Sequence, residues 1–451
     1  MLDRLFGTDD PEGHFRPEAQ LQAMMDVEAA LARVEAACGL IPPEAVRPIE
    51  ELCVAAGLGA AFDDAAAKAG NLAIPLVRHL QTQLDDRHPL AARWVHLGAT
   101  SQDLLDTGLM LQLKGFLATM ERLLEALSDA LAALARQGRD MAMPGRTWLV
   151  QALPVTFGLK AAGWLDALQR HQERLDELKP RVLVLQFGGA AGTLAALGDQ
   201  GPAVARALAR ELGLGEPALP WHAARDRIAE VGCWLGLLVG SLGKIARDLS
   251  LLAQSEVGEA REGDEPGRGG SSTMPQKRNP VRSAAILAAA TRAPGLVSTL
   301  LTALPQEHER GLGGWQAEWV VLPDLCRVAE GALRNSVALV ETLELFPDRM
   351  AENLDRSGGL LLAEAVSLAL LRGMSRRQAH HLVEQAARTA LDEGRPFGEV
   401  LKQMPDVAAQ LSAAEIDRLL RYETYLGAAG VFVDRVLAVH EQRRGNAKRR
   451  D

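Results

Sequence analysis

Aromatic residues are scarce: Phe, Trp and Tyr make up 4% of the 451 residues. So few of the ring side chains that enrich strands argues against an all-β architecture, and the Ala- and Leu-rich remainder favours helix. Cysteine is scarce too. Cys38, Cys53, Cys233 and Cys326 lie far apart and form no CxxC pair. That argues against a disulfide framework or a zinc knuckle and for a reducing, cytoplasmic setting. A surplus of positive charge is missing: 49 Lys and Arg face 58 Asp and Glu, a net charge of −9. A general nucleic-acid binder needs a basic footprint, so no nucleic-acid partner is expected. A local basic pocket for a small anion remains compatible with an acidic protein. The longest uncharged stretch, 182–198, holds four glycines, too short and broken to span a bilayer, so no membrane partner is expected. Residues 1–10 carry three acids and no apolar core, unlike a signal peptide.

What is present is helical periodicity. Leu117, Met120, Leu124, Leu127, Leu131 and Leu134 step by 3,4,3,4,3, and so do Leu235, Leu238, Leu242, Ile245, Leu249 and Leu252. Each set draws one apolar seam along a long helix. The seams fit a helix buried in one bundle, or a bundle whose helices cross between subunits; spacing does not separate the two. Periodicity also predicts helices over 155–178, 202–212 and 286–304, with Pro and Gly at the joins, among them Pro144-Gly145 and Gly188-Gly189. Alternating strand patterns are few, the best being 182–187. The expectation is an all-α protein in three parts: an N-terminal helical part (1–104), a long-helix centre (105–341) and a C-terminal helical part (342–451). The basic tail 443–451 is expected to fray.

The most unusual stretch is 261–280, REGDEPGRGGSSTMPQKRNP. Its glycines and charges oppose helix, and it interrupts two apolar-periodic segments. From composition alone it reads as a solvated connector or as a functional loop. Three features favour function. Gly269-Gly270 let backbone N–H groups crowd an anion, Lys277 supplies a point charge, and Ser271 and Ser272 supply hydroxyls beside it. Together they could hold a carboxylate and ready a serine as a base.

The run GSSTMPQKRNP (270–280) resembles the signature loop of the fumarase/aspartase superfamily, enzymes that add or eliminate a group next to a carboxylate. HLGATSQD (96–103) resembles the family's first substrate-binding block, and Gly145-Arg146-Thr147 with Pro154 the second. The resemblance covers most of the chain. It implies a three-domain, mainly helical protomer with a central long-helix bundle, and a homotetramer whose active sites are composed from three subunits.

In the superfamily's fumarases and adenylosuccinate lyases the second block reads Thr-His, and the His has a Glu partner fourteen positions after the signature glycine. Here those positions hold Trp148 and Ala284. Expelling hydroxide or an amine needs a proton donor, whereas a carboxylate, with a pKa of about 4, needs none. Lactonisation makes the nucleophile the substrate's own carboxylate, tethered in place. The missing relay therefore points to the superfamily's lactonising branch, whose substrate is a carboxylated muconate, a tricarboxylate. The blocks GRTW (145–148), VLQFGGAAGTLAALG (184–198), PQEHERGLGGWQAEW (305–319) and LAEAVS (362–367) are similar to that branch. Gln151 and Gln276 depart from it where His is usual, leaving the substituent on the muconate open.

By resemblance, Ser271 protonates the carbon next to a carboxylate, and Lys277 and Asn279 hold that carboxylate where charge accumulates. Thr100, Ser101 and Thr147 orient carboxylates, and Arg310 with His96 completes recognition, the Arg fork pairing bidentately. Arg146, Trp148, Gln151, Ser272 and Met274 complete the substrate-binding set by their places in the matching blocks. No metal or organic cofactor is implied, and the partner is a small tricarboxylate. Trp148 also fits a core aromatic. His380 and His381 lie about 100° apart on a helix and share no metal face. Gly188 to Gly192 mimics a nucleotide loop but lacks the GxGxxG spacing. Alternatives are another lyase of the superfamily, above all adenylosuccinate lyase, a cycloisomerase for a sulfonated or otherwise substituted muconate, or a non-catalytic crystallin-like scaffold.

Overall fold

The computed structural model describes residues 2–54, 58–265, 267–270 and 272–447; Ser271 lies outside them. Helix accounts for 68% of the structure, and the only sheets among the described residues are two pairs of strands. The all-α expectation holds. The chain divides into two compact units, each assembled from three stretches. One comprises 1–124, 171–242 and 285–335; the other comprises 125–170, 243–284 and 336–451.

Both heptad seams are helical and buried. The first lies on Ser101–Gln137 and the second on Asp226–Leu252, and their twelve apolar residues are at most 7% exposed. The seams therefore fill the interior of a single chain. In the first unit, Pro17–Ala37 presents Met24, Met25 and Val27 to a core with Ile49, Phe62, Leu76, Leu80 and Leu84. Its Ala30, Leu31 and Val34 pack on Val204 and Leu208 of Gly201–Leu212. In the second unit a separate core joins Val366, Leu370, Val383, Phe397, Leu401 and Ile416. Ser375 and Ser412 each start a helix there with a reciprocal capping box, which satisfies two end donors at once.

Among the described residues two helices are long and apolar enough to cross a membrane, Asp226–Leu252 and Val281–Thr302. They differ in cover: 61% of the most apolar stretch of the first is buried, against 22% of the second. The first is an ordinary core helix. The second leaves apolar side chains such as Leu301 uncovered.

Strand structure sits elsewhere than expected. The 182–187 segment makes only an isolated bridge, Val184 with Gly215. The true hairpin is β1 (Ala142–Thr147) with β2 (Val150–Thr156), paired antiparallel. Pro144 faces Pro154 in it, and the register slips between Pro144 and Arg146. Proline cannot donate to a ladder, so a two-stranded ribbon tolerates what a sequence pattern reads as a break. The slip falls at Gly145, where a Cβ would meet Leu153 O at 2.7 Å. The helix expected from 155 begins at Phe157. A shorter pair joins β3 (Ala260–Arg261) to β4 (Glu344–Leu345). Of the tail expected to fray, residues 443–447 are helical, for the last helix runs Ala429–Ala447, and 448–451 lie outside the described residues.

Candidate active site

The first unit gathers His96, Thr100, Ser101 and Arg310. Its organising group is Asp103, in the first turn of Ser101–Gln137. The Asp103 carboxylate is 1% exposed as a residue and accepts five hydrogen bonds. The Thr100 N–H reaches it at 3.1 Å, Gly188 N–H at 2.9 Å and Gly189 N–H at 2.8 Å. Gln186 Nε2 donates at 3.2 Å and His222 Nε2 at 2.8 Å. A buried carboxylate persists when donors replace its lost water. The Gly-Gly pair is demanded by this packing. Gly189 has φ +68°, and a Cβ on Gly188 would lie 2.7 Å from Pro220. The segment that mimics a nucleotide loop is thus a clasp that turns its amides onto Asp103.

The clasp positions Arg310. The guanidinium donates through Nη2 to Ala190 O at 3.0 Å and Thr100 Oγ1 at 3.1 Å, and through Nε to Gln102 Oε1 at 3.1 Å. All three acceptors are neutral. Among the described residues Arg310 has no carboxylate partner, and nothing bonds its Nη1. Arg225 is its opposite. Buried at 1% side-chain exposure, it is clamped by Asp106 at 2.7 Å and Glu318 at 2.5 Å. Gln102 donates to Asp106 at 3.0 Å, so one hydrogen-bonded chain runs from the neutralised arginine to the open one. His96, at φ +65°, bonds through Nδ1 to Glu28 Oε1 at 2.5 Å. Burial pulls the His96 pKa down; the charge and hydrogen bond of Glu28, helped by Asp103, outweigh it and leave the ring above its ordinary value.

The second unit carries Arg146, Thr147, Trp148, Gln151, Ser272, Met274, Lys277 and Asn279. Arg146, on β1, is taken up by fully buried Glu259 through two bonds of 2.6 and 2.8 Å. Asn353 Nδ2 donates to the same carboxylate at 2.8 Å, and Gln151 Nε2 donates to Asn353 O at 3.3 Å. These contacts brace the hairpin. Its two-residue tip is Trp148 and Leu149, at φ +54° and +66°. A type I′ hairpin turn needs positive φ at both residues and normally uses Asn and Gly. Here Trp148 is 98% exposed, with Leu149 and Val150 also in solvent. The core reading of Trp148 therefore fails.

The signature loop is pinned at its ends. Glu262 accepts from the Arg282 N–H at 3.0 Å and the Ser283 N–H at 2.8 Å, at the start of Val281–Thr302, where the helix dipole favours negative charge. Asn279 binds Gly269 O through N at 2.8 Å and Nδ2 at 3.1 Å. Gly269, at φ +70°, has no room for a Cβ, which would sit 2.7 Å from Asn279 O. Arg278 pairs with Asp264 at 3.2 Å, and Arg282 with Glu265 at 2.5 Å. Lys277 is exposed and has no carboxylate partner among the described residues. Ser272 lies 3.4 Å from Thr273 Oγ1, and Met274 is half-exposed. No cluster of three or more His, Cys, Asp and Glu able to hold a metal occurs among the described residues.

Sequence reasoning missed Glu28, Gln186, His222 and Glu259 and gave Asp103 no role. Asp103 had a signal: it follows Thr100 by three residues at a helix start, the spacing of a capping box. Glu28 had none, because 68 residues separate it from His96.

Among the described residues Arg310 in the first unit and Lys277 in the second have no carboxylate partner, and the family comparisons give the class of protein, a lyase. The family model described as "Lyase" matches residues 9–295, and that for the adenylosuccinate lyase C-terminus matches 359–436. The chain belongs to the fumarase/aspartase lyase superfamily. It is 54% identical to 3-carboxy-cis,cis-muconate cycloisomerase of Pseudomonas aeruginosa, over 98% of this chain and 96% of that one. It is 52% identical to the enzyme of the same name from Pseudomonas putida, over 92% and 99%. The crystal structure of 3-carboxy-cis,cis-muconate lactonizing enzyme from Pseudomonas putida superposes with a TM-score of 0.93 at 50% identity, covering 98% of this chain and 99% of that one.

Proposed function

We propose that this chain is a cycloisomerase that closes 3-carboxy-cis,cis-muconate to 4-carboxymuconolactone, a step in protocatechuate breakdown by the β-ketoadipate pathway. The observation that carries the reading is Arg310, a guanidinium held by three neutral acceptors with no carboxylate partner among the described residues. Such a cation is poised for an anionic substrate, and its fork suits a carboxylate. Relatives at 54% and 52% identity that carry this name support the particular substrate.

In the proposed reaction a substrate carboxylate oxygen adds across the neighbouring double bond. The electron pair moves onto the adjacent carbon and its conjugated carboxylate, giving an enolate-like dianion. Ser271 protonates that carbon, and in reverse its alkoxide removes the proton. Lys277 and Asn279 stabilise the charge as it develops. Thr100, Ser101, Thr147, His96 and Arg310 orient the remaining carboxylates. No proton need reach the attacking carboxylate, and the exposed hairpin tip offers Trp148 where the relay histidine of related lyases stands.

The active protein is proposed to be a homotetramer with sites composed from three subunits. The uncovered face of Val281–Thr302, together with exposed Leu237 and Val320, supports burial against further copies. Ultraviolet loss of the muconate diene tests the activity. Metal-independent loss, abolished in Ser271→Ala, is expected. Near-normal turnover by Ser271→Ala removes the serine from the mechanism. Turnover of adenylosuccinate in its place makes the chain a lyase of the other branch. Sedimentation at micromolar concentration tests the tetramer.

A further inference from the structure

Glu28 and Glu35 lie seven residues apart on Pro17–Ala37, two turns and therefore one face. Both are buried, 2% and 1% exposed. Glu28 holds His96; Glu35 holds nothing, and neither of its carboxyl oxygens finds a partner among the described residues. Burial disfavours the charged form of a carboxyl, and so does a like charge on the same helix face. Burial, and then the charge of Glu28, push Glu35 up to about 9, so it is neutral at pH 7. The thiol of Cys53, the other group that feels Glu28, is pushed up to about 12 by burial, then by Glu28, Asp26 and Glu50 against Arg33. It stays neutral as well. Among the described residues the Glu28 side chain has one hydrogen-bond partner, the His96 ring. Beyond Glu28, the charged group that acts on that ring is Asp103.

His96 keeps 16% of its side chain exposed. Its Nδ1 is spent on Glu28, and among the described residues nothing bonds Nε2. The ring stands four residues before Thr100, whose hydroxyl accepts from Arg310. We infer that Glu28 is a positioning residue for the carboxylate site: it fixes the His96 ring in its doubly protonated form and so presents Nε2–H as a second fixed cationic donor in the half-site of Arg310. The inference rests on the reading of the substrate as a polycarboxylate. A neutral imidazole would offer Nε2 as donor or acceptor and carry no charge. The Glu28 carboxylate on Nδ1 favours the charged form of the ring.

The test uses the full-length protein and the isosteric variant Glu28→Gln, which keeps an oxygen for Nδ1–H and loses the charge. Imidazole NMR of histidine-labelled protein, with His96 identified by its absence in His96→Gln, reads the ring without substrate. His96 is expected to be doubly protonated at pH 7 in the wild type and to lose its proton at lower pH in Glu28→Gln. With substrate, Glu28→Gln is expected to raise KM about tenfold at pH 8 and little at pH 6, with kcat near normal. Glu28→Asp, which restores the charge, recovers part of the loss at pH 8. An unchanged His96 titration, or a KM increase equal at all pH values, overturns the inference. Should Glu28→Gln fail to fold, His96→Gln decides: its KM is expected to lose the pH dependence, and retention of that dependence overturns the inference. If the wild type does not turn over the muconate, citrate binding by calorimetry replaces KM. The activity reading then fails while the role of Glu28 is still decided.

Discussion

The candidate site residues of the two units are held on opposite plans. In the first unit two acting side chains are held in place: Arg310 by Thr100, buried Gln102 and Ala190 O, and His96 by buried Glu28, with the clasp held by buried Asp103. In the second unit the scaffold is locked, through Glu259 with Arg146 and Glu262 with Ser283. Yet Lys277, Ser272 and Trp148 stand in solvent. A binding pocket gains from rigidity because ordering is paid before the ligand arrives. Groups that must meet another surface gain from projection. The strained Trp148-Leu149 turn fits the second plan, since backbone strain persists where function holds it in place.

Five substitutions break or sharpen this contrast. The largest effect is expected from Asp103→Ala, which strands five donors at once. It should cost about 3–5 kcal/mol of stability, read as a lowered denaturation midpoint, because orphaned buried groups carry their full desolvation penalty. Lys277→Ala, on the open side, should leave that midpoint within about 0.5 kcal/mol while turnover collapses. Next is Arg310→Ala. Loss of one charged carboxylate contact should raise KM about 100-fold, roughly 2.7 kcal/mol, with little change in the melting temperature. An equal loss of stability would show that the open guanidinium is structural.

Glu35→Gln probes the pH response of the locked unit. The folded Glu35 holds its proton up to about pH 9, whereas the unfolded chain releases it near 4.5. The stability this group contributes is complete below about 4.5 and is lost as pH climbs toward 9. Glu35→Gln should therefore gain about 1–3 kcal/mol over wild type at pH 8 and almost nothing at pH 5, checked by urea unfolding at both values. The smallest effect is expected from Leu149→Gly. Relief of the left-handed turn should add up to about 1 kcal/mol to stability, unless contacts with another copy depend on the leucine. Activity measured beside the unfolding midpoint separates those outcomes.

Legibility followed the range of the interaction. The long helices were readable because a 3,4 repeat reports on neighbours one turn away. Glycines at 188, 189 and 269 were visible as unusual, and the structure supplies their reason: amides turned onto Asp103, and a backbone too close to Asn279 for a Cβ. The β1–β2 hairpin was hidden because it violates local rules twice, with paired prolines in its strands and Trp-Leu at its turn. Its support comes from Glu259 and Asn353, about a hundred and two hundred residues further along the chain. The uncovered helix was hidden for a related reason. Val281–Thr302 is as apolar as a core helix, and only the packing of the rest of the chain shows that little of it is buried.

The amino-acid order by itself determined the helical class, the two buried seams, the signature loop and, through motif resemblance, the superfamily. These are properties of contiguous residues, set by local propensity and periodicity. Tertiary structure decided which cations are neutralised and which are left open. Arg146, Arg225 and Arg310 are the same residue in sequence, but Glu259 takes the first, Asp106 and Glu318 take the second, and only neutral oxygens hold the third. The physical reason is that a charge is tuned by whatever lies within a few ångströms of it, and folding draws those neighbours from distant parts of the chain.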